Sequence, residues 1–180
     1  DKALDLSALR SLTLESASAL ATSKDDLRFP SVENITTEVA ESLARHKGIL
    51  SFPKIAVTSK DLANAIASHE GPVEIGLQTK LFPVLLEKFL QQGSTEPPVG
   101  QVTSLSPEVA LVLNKFNRPM DFSRLEEVSP ESIAAFKDCD ASINFPILPL
   151  ISRELAEAFA ALRCDLSFGI VHNLEQETAE

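Results

Sequence analysis

Apolar and polar positions along the chain recur every 23 residues. The repetition is plainest over 27–71. There Leu27, Phe29, Val32, Thr36, Val39, Leu43 and His46 are each followed 23 positions later by Leu50, Phe52, Ile55, Ser59, Leu62, Ile66 and His69. Stepping on from Leu4 gives Leu27, Leu50, Val73, Pro97, Met120, Ile143 and Leu166, with a single 24-residue step between Val73 and Pro97. Two residues further on, Leu6, Phe29, Phe52, Ile75, Val99, Phe122, Phe145 and Phe168 form a column that is apolar throughout. The residue between the two columns is Asp5, Arg28, Ser51, Glu74, Pro98, Asp121, Asn144 or Ser167. An apolar–polar–apolar triplet predicts a strand with one wet face. Pro30, Pro53, Gly76, Gly100, Pro146 and Gly169 follow directly, and these residue types predict that each strand is very short.

The second half of each repeat reads as a helix. Thr13, Thr36, Ser59, Ser106, Ser129 and Ser152 occupy one column, with Phe82 and Glu175 as its exceptions. Ser and Thr suit the N-cap because the side-chain oxygen accepts a hydrogen bond from a free helix N–H. Pro83, Pro107 and Pro130 come next, where the first helical position tolerates proline. Glu15, Glu38, Asp61, Glu108, Glu131, Glu154 and Glu177 follow, complementing the positive end of the helix dipole. Pairs one turn apart then predict the buried stripe: Val39 with Leu43, Leu62 with Ile66, Leu85 with Phe89, Val109 with Leu113, and Leu155 with Phe159. Helices of about ten residues are expected, ending near Gly48, Gly71 and Gly93, where glycine accepts a left-handed cap.

A strand, a tight loop and a helix cannot bury their own apolar face, but stacked copies form one continuous core. The expected architecture is an α/β solenoid, a single domain over 1–180 of about eight repeats starting near residues 4, 27, 50, 73, 97, 120, 143 and 166. Its strand face is expected to stand open to water. The columns resemble the leucine-rich repeat. Leu27-Arg28-Phe29, Val32, Ile35-Thr36, Val39 and Leu43 follow the spacing of its cysteine-containing type, and Leu105-Ser-Pro-Glu and Val128-Ser-Pro-Glu look like a compact 23-residue bacterial variety. The resemblance implies a right-handed coil with a parallel sheet of short strands on one face and helices on the other. It also implies a binding scaffold, commonly for proteins, that uses the concave strand face and has no catalytic residues. The chain departs from that pattern where a buried Asn or Cys usually ladders the loops: Leu9, Val32, Ile55, Leu125, Leu148 and Val171 stand there instead.

Composition narrows the function classes. Of 180 residues 44% are hydrophobic, which fits a folded chain. The net charge of −10, without a run of Lys or Arg, argues against nucleic acid and anionic membrane surfaces as partners. The longest apolar run falls short of the roughly 18 residues of a membrane span. Neither GxGxxG, GxxxxGK[ST] nor HExxH is present, and the three histidines have no plausible nucleophile beside them in the repeat frame, so no enzyme and no cofactor are expected. Glu126-Glu127 reads as a solvated loop pair.

The candidate contact surface is therefore the polar strand column: Asp5, Arg28, Ser51, Glu74, Asp121, Asn144 and Ser167. It reads either as a ligand face or as a solvated face that keeps the module soluble. Residues 94–101 (STEPPVGQ) interrupt the repeat with Pro97 and Pro98, as a recognition edge, a hinge or a tolerated insertion. His46 and His69 share a column near helix ends. Capping of the helix C-termini is favoured over a metal site, because zinc needs three or four ligands. His172 stands alone in a strand-exit loop. Cys139 and Cys164 lie in adjacent repeats and are either a disulfide or two partly buried thiols. The leading expectation is a protein-interaction module with a protein partner; the alternative is a spacer segment of a larger repeat protein. Both ends look uncapped in the repeat frame, which also raises self-association through an end.

Overall fold

The computed structural model describes residues 6–76, 78, 80–148 and 150–171. It is a mixed α/β structure whose described residues form seven helices and short, parallel strands. The chain divides into an N-terminal unit (Asp1–Gln78 and Glu87–Gly93) and a C-terminal unit (Thr79–Leu86 and Ser94–Glu180).

In the N-terminal unit the order is α1 (Leu14–Leu20), β1 (Leu27–Arg28), α2 (Thr37–Leu43), β2 (Leu50–Phe52), α3 (Lys60–Ala67) and β3 (Val73–Ile75). The sheet runs β1-β2-β3, all parallel, with Leu27 beside Leu50 beside Val73. Each step in that register is 23 residues, the period of the sequence. The helices α1, α2 and α3 pack in file. Leu27, Leu50 and Val73 are buried, and the rings of Phe29 and Phe52 stack at 4.8 Å with 13° between their planes. Leu43 and Ile66 close the core from the helix side.

Helix α4 (Pro83–Gln91) is followed in the C-terminal unit by β4 (Ser104–Leu105), α5 (Pro107–Asn114), β5 (Met120–Asp121), β6 (Glu127–Val128), α6 (Pro130–Ala134), β7 (Ile143–Leu148), α7 (Arg153–Ala160) and β8 (Leu166–Val171). Two parallel sheets form here, β4-β6 and β5-β7-β8. Met120, Ile143 and Leu166 are in register, again 23 residues apart, as are Ser104 and Glu127. Phe122, Phe145 and Phe168 stack in sequence at 5.4 and 5.9 Å, and Phe159 of α7 meets Phe145 and Phe168 edge-on.

The caps fall where the Ser/Thr column places them. Thr13, Thr36, Ser59, Ser106, Ser129 and Ser152 each accept a hydrogen bond from the N–H three residues on. Glu38 is lowered from the ordinary carboxylate value because the Thr36 hydroxyl, and then its own N–H, bond the charged form. In Glu108, Glu131 and Glu154 the residue's own N–H leads and the cap serine follows. A carboxylate whose folded value is depressed stabilises the fold above its unfolded value, and that contribution is lost as pH falls through the folded value. Replacing all four by Gln is therefore expected to flatten the stability–pH profile below about pH 4.5, with little change at pH 7 in slope, as read by urea unfolding across the acid range.

Several expectations need correction. The described helices are five to nine residues long, shorter than the ten expected. Strand β7 runs six residues through Pro146 and pairs with β8 on both sides of it, at 143–145 and at 147–148. It can do so because Gly169 lies on top: a Cβ at 169 would stand 2.3 Å from the Pro146 carbonyl oxygen. Gly76 covers Pro53 in the same way. No strand forms at Pro97–Val99, where the Val99 N–H turns back onto the Pro97 carbonyl at 2.9 Å. Instead the pre-cap residues Ser104–Leu105 and Glu127–Val128 pair as β4 and β6, so Glu127 is in a strand and not a loop. Of the three glycines expected in a left-handed cap only Gly93 has a positive φ, 79°. Gly48 and Gly71 serve close approach instead, each with its would-be Cβ 2.7 Å from a histidine Nε2.

Candidate functional site

The polar strand column divides into two different surfaces. In the N-terminal unit Arg28 and Glu74, on the outer strands, reach across the middle one: the guanidinium Nη1 donates to Glu74 Oε2 at 2.8 Å. Arg28 Nη2 also lies 3.6 Å from Asp26 Oδ2. Both partners of the long span are about half exposed, so it contributes no more than about 1 kcal/mol. Ser51, between them in register, is only 7% exposed. Three of the sequence-predicted contact residues are thus occupied with one another or covered. Asp5 lies outside the described residues.

In the C-terminal unit Asp121, Asn144 and Ser167 stand in register across β5, β7 and β8. Asp121 and Ser167 are exposed and Asn144 is half-buried. Asp121 also lines a cavity of about 510 Å³ with Thr95, Glu96, Pro97, Val99, Gly100, Arg118 and Pro119. The irregular loop 94–101 and Asp121 of the strand column meet here. Pro97 and Pro119 supply stiff apolar walls. The loop is held by the Val102 N–H on the Val99 carbonyl at 3.0 Å and by the Ser123 hydroxyl donating to the Gly100 carbonyl at 3.3 Å. Asn117 adopts a left-handed conformation (φ 46°) immediately before Arg118-Pro119, a backbone position that Asn tolerates better than most residues. Among the described residues the charged ends of Arg118, Glu96 and Asp121 have no ion-pair partner. Sequence reasoning missed Arg118, since it stands outside every column; the Asn-Arg-Pro run was its one local signal.

Neither a family model, nor a curated protein, nor a solved structure matches this chain. The site is therefore read from its own chemistry.

Cys139 and Cys164 are free thiols. Cys139 is buried with its thiol 3.5 Å from the Ala141 carbonyl, and burial, then the neighbouring Cys139, pushes the Cys164 thiol up. His46 and His69 are buried and stacked on each other, with a carbonyl oxygen of the preceding connector within hydrogen-bonding distance of each His69 ring nitrogen, so that whichever nitrogen carries the proton finds an acceptor outside its own helix. His172 lies outside the described residues. Among the described residues no group of three or more His, Cys, Asp or Glu is arranged to hold a metal, and no helix is long and apolar enough to cross a membrane.

One buried residue was absent from the sequence-level candidates. Gln78 sits in the loop column otherwise filled by Val32, Ile55 and Leu125, and is 7% exposed. Its Oε1 accepts from the Val57 N–H at 2.9 Å, and its Nε2 donates to the carbonyls of Ile55 at 2.8 Å and Gly76 at 3.0 Å. A single side chain so ties its own loop to that of the repeat before it. The signal lay in the column itself, where Gln78 is a polar residue among apolar ones.

Proposed function

We propose that this chain is a non-catalytic protein-interaction module, a leucine-rich-repeat-like solenoid that binds a protein partner through its strand side. The 23-residue offset of the strand pairs within each unit supports the repeat reading. The observation that carries the functional reading is the cavity at loop 94–101. It joins uncompensated charges of both signs, Arg118 with Glu96 and Asp121, to rigid proline walls beside an open strand face. Charges left unpaired at a preformed rim confer orientation and specificity on a polar partner. The site offers neither a nucleophile–base pair nor a metal ligand set to perform a reaction.

The spacer reading is favoured by a separate observation in the N-terminal unit. There the Arg28–Glu74 span neutralises the strand face and Ser51 is covered. A strand face whose charges are spent on each other fits a spacer segment of a larger repeat protein with no ligand of its own.

Partner capture on the immobilised chain from its native source, followed by mass spectrometry, tests the proposal when repeated with the Arg118→Glu/Asp121→Lys double variant. The expected result is a partner retained by the wild type and by Arg28→Ala, and at least tenfold depleted on the double variant. Equal retention by all three contradicts the assignment of the site.

A further inference from the structure

His46 and His69 are equivalent in sequence but not in environment. Both are 1% exposed, and their rings lie parallel within 6° at 6.0 Å. His69 has acceptors at both nitrogens: Nδ1 is 3.3 Å from the Ala44 carbonyl oxygen and Nε2 is 2.9 Å from that of Gly48. His46 has none. Neither of its ring nitrogens has a hydrogen-bond partner, the Ser23 backbone falling outside hydrogen-bonding geometry.

A buried imidazole without an acceptor is tolerated as a neutral ring and strongly disfavoured as a cation. The charges around His46 do little to relieve this. Asp26, from the α1–β1 connector, is the acid facing it, but Asp26 Oδ1 already accepts from the Ile49 N–H at 3.0 Å, and Oδ2 faces Arg28. From the connector after α3 comes the stacked His69, whose own carbonyl takes the Lys88 ammonium of α4; its neighbour Glu70 is exposed. Lys24, Arg45 and Lys47 line the cavity of about 430 Å³ beside Gly48 and add like charge. Burial first, then His69, holds the His46 imidazole below the ordinary histidine value, with the Ser23 backbone and Asp26 opposing.

We propose that the stacked pair is an acid-operated latch on the N-terminal unit: neutral His46 keeps the connector 44–49 seated, and a proton on His46 unseats it and loosens β1, β2 and β3. The connector is the part through which such a change spreads. The Ile49 carbonyl accepts from the Leu27 N–H at 2.9 Å, the Ile49 N–H holds Asp26, and the Gly48 carbonyl holds His69. Loosening it also releases the Arg28–Glu74 span, which bridges the same strands. The sign follows from linkage: a folded value below the unfolded value near 6.5 gives stability that is fully present above pH 6.5 and lost as pH falls through the folded value. A single proton raises the opening constant by up to about tenfold per pH unit within that window. With His172→Asn introduced throughout, the C-terminal unit carries no histidine and serves as an internal control.

Amide hydrogen exchange of the whole chain between pH 7.5 and 5, expressed as protection factors, tests the latch. Protection at Leu27 and Leu50 is expected to fall by up to about tenfold per pH unit below pH 6.5, while Met120 and Ile143 hold constant. His46→Leu is expected to abolish the fall. The His46 ring signal, followed by NMR, supplies a second readout that needs no substitution at His46: it is expected to titrate below the ordinary histidine value, together with the loss of protection. An unchanged fall in His46→Leu, or a His46 ring that titrates near 6.5 while Leu27 stays protected, overturns the proposal.

Discussion

Phe145→Ala is expected to destabilise the C-terminal unit by about 3–5 kcal/mol, enough to unfold it under mild conditions. Phe145 is 1% exposed and sits in the middle of the ring stack, between Phe122 and Phe168. Phe159 meets it edge-on at 5.2 Å. Truncation therefore removes contacts on three sides and leaves a cavity whose walls belong to different strands and a helix, and so cannot all collapse inward. Phe168, at the end of the same stack, is 39% exposed. Its replacement by Ala is expected to cost less than half as much, since water already reaches one side of the ring. Urea unfolding followed by amide signals of Ile143 and Met120 measures both. Equal effects at the two positions would mean that the stack is not the core of this unit.

Gln78→Met carries the second large effect, about 2–4 kcal/mol, although it preserves volume and adds apolar surface. The thioether cannot replace the amide. The Val57 N–H loses its acceptor, and the carbonyls of Ile55 and Gly76 lose their donor. Buried backbone groups left without partners cost more than the bonds contributed when made. Gln92 also bonds a backbone carbonyl, that of Val73 at 3.1 Å, but its residue is exposed and water can substitute. Gln92→Met is expected to fall within about 0.5 kcal/mol of wild type. The difference between the two glutamines, read from thermal unfolding, checks whether burial and not residue type decides the outcome.

The 23-residue period of the paired strands and the N-caps were legible in the chain. A Ser or Thr every 23 residues has one local use, as an N-cap, and that use does not depend on what packs around the helix. The same holds for Leu27, Leu50 and Val73, whose spacing alone places them in register. What stayed hidden was set by contacts between repeats. Strand length in β7 and β8 depends on Gly169 admitting the Pro146 carbonyl, a relation between two positions that either residue alone conceals. The apolar pre-cap position of Val128 pairs with Leu105 as a strand, because extended backbone leading into a cap is free to find a neighbour. Likewise, the strand column gave seven equivalent candidates. Whether a charged residue is open or spent depends on side-chain reach, as with Arg28 spanning to Glu74, and alternation carries no information about reach. Arg118 lay outside the repeat grammar altogether and entered the site through the loop that Asn117 turns.

The measurement closest to the central claim is the strand register in solution, read from NMR contacts between backbone protons of neighbouring strands. Parallel contacts are predicted between Leu27 and Leu50, Leu50 and Val73, Met120 and Ile143, and Ile143 and Leu166. Antiparallel contacts, or a register displaced by even one residue, would turn the apolar columns outward and contradict the account.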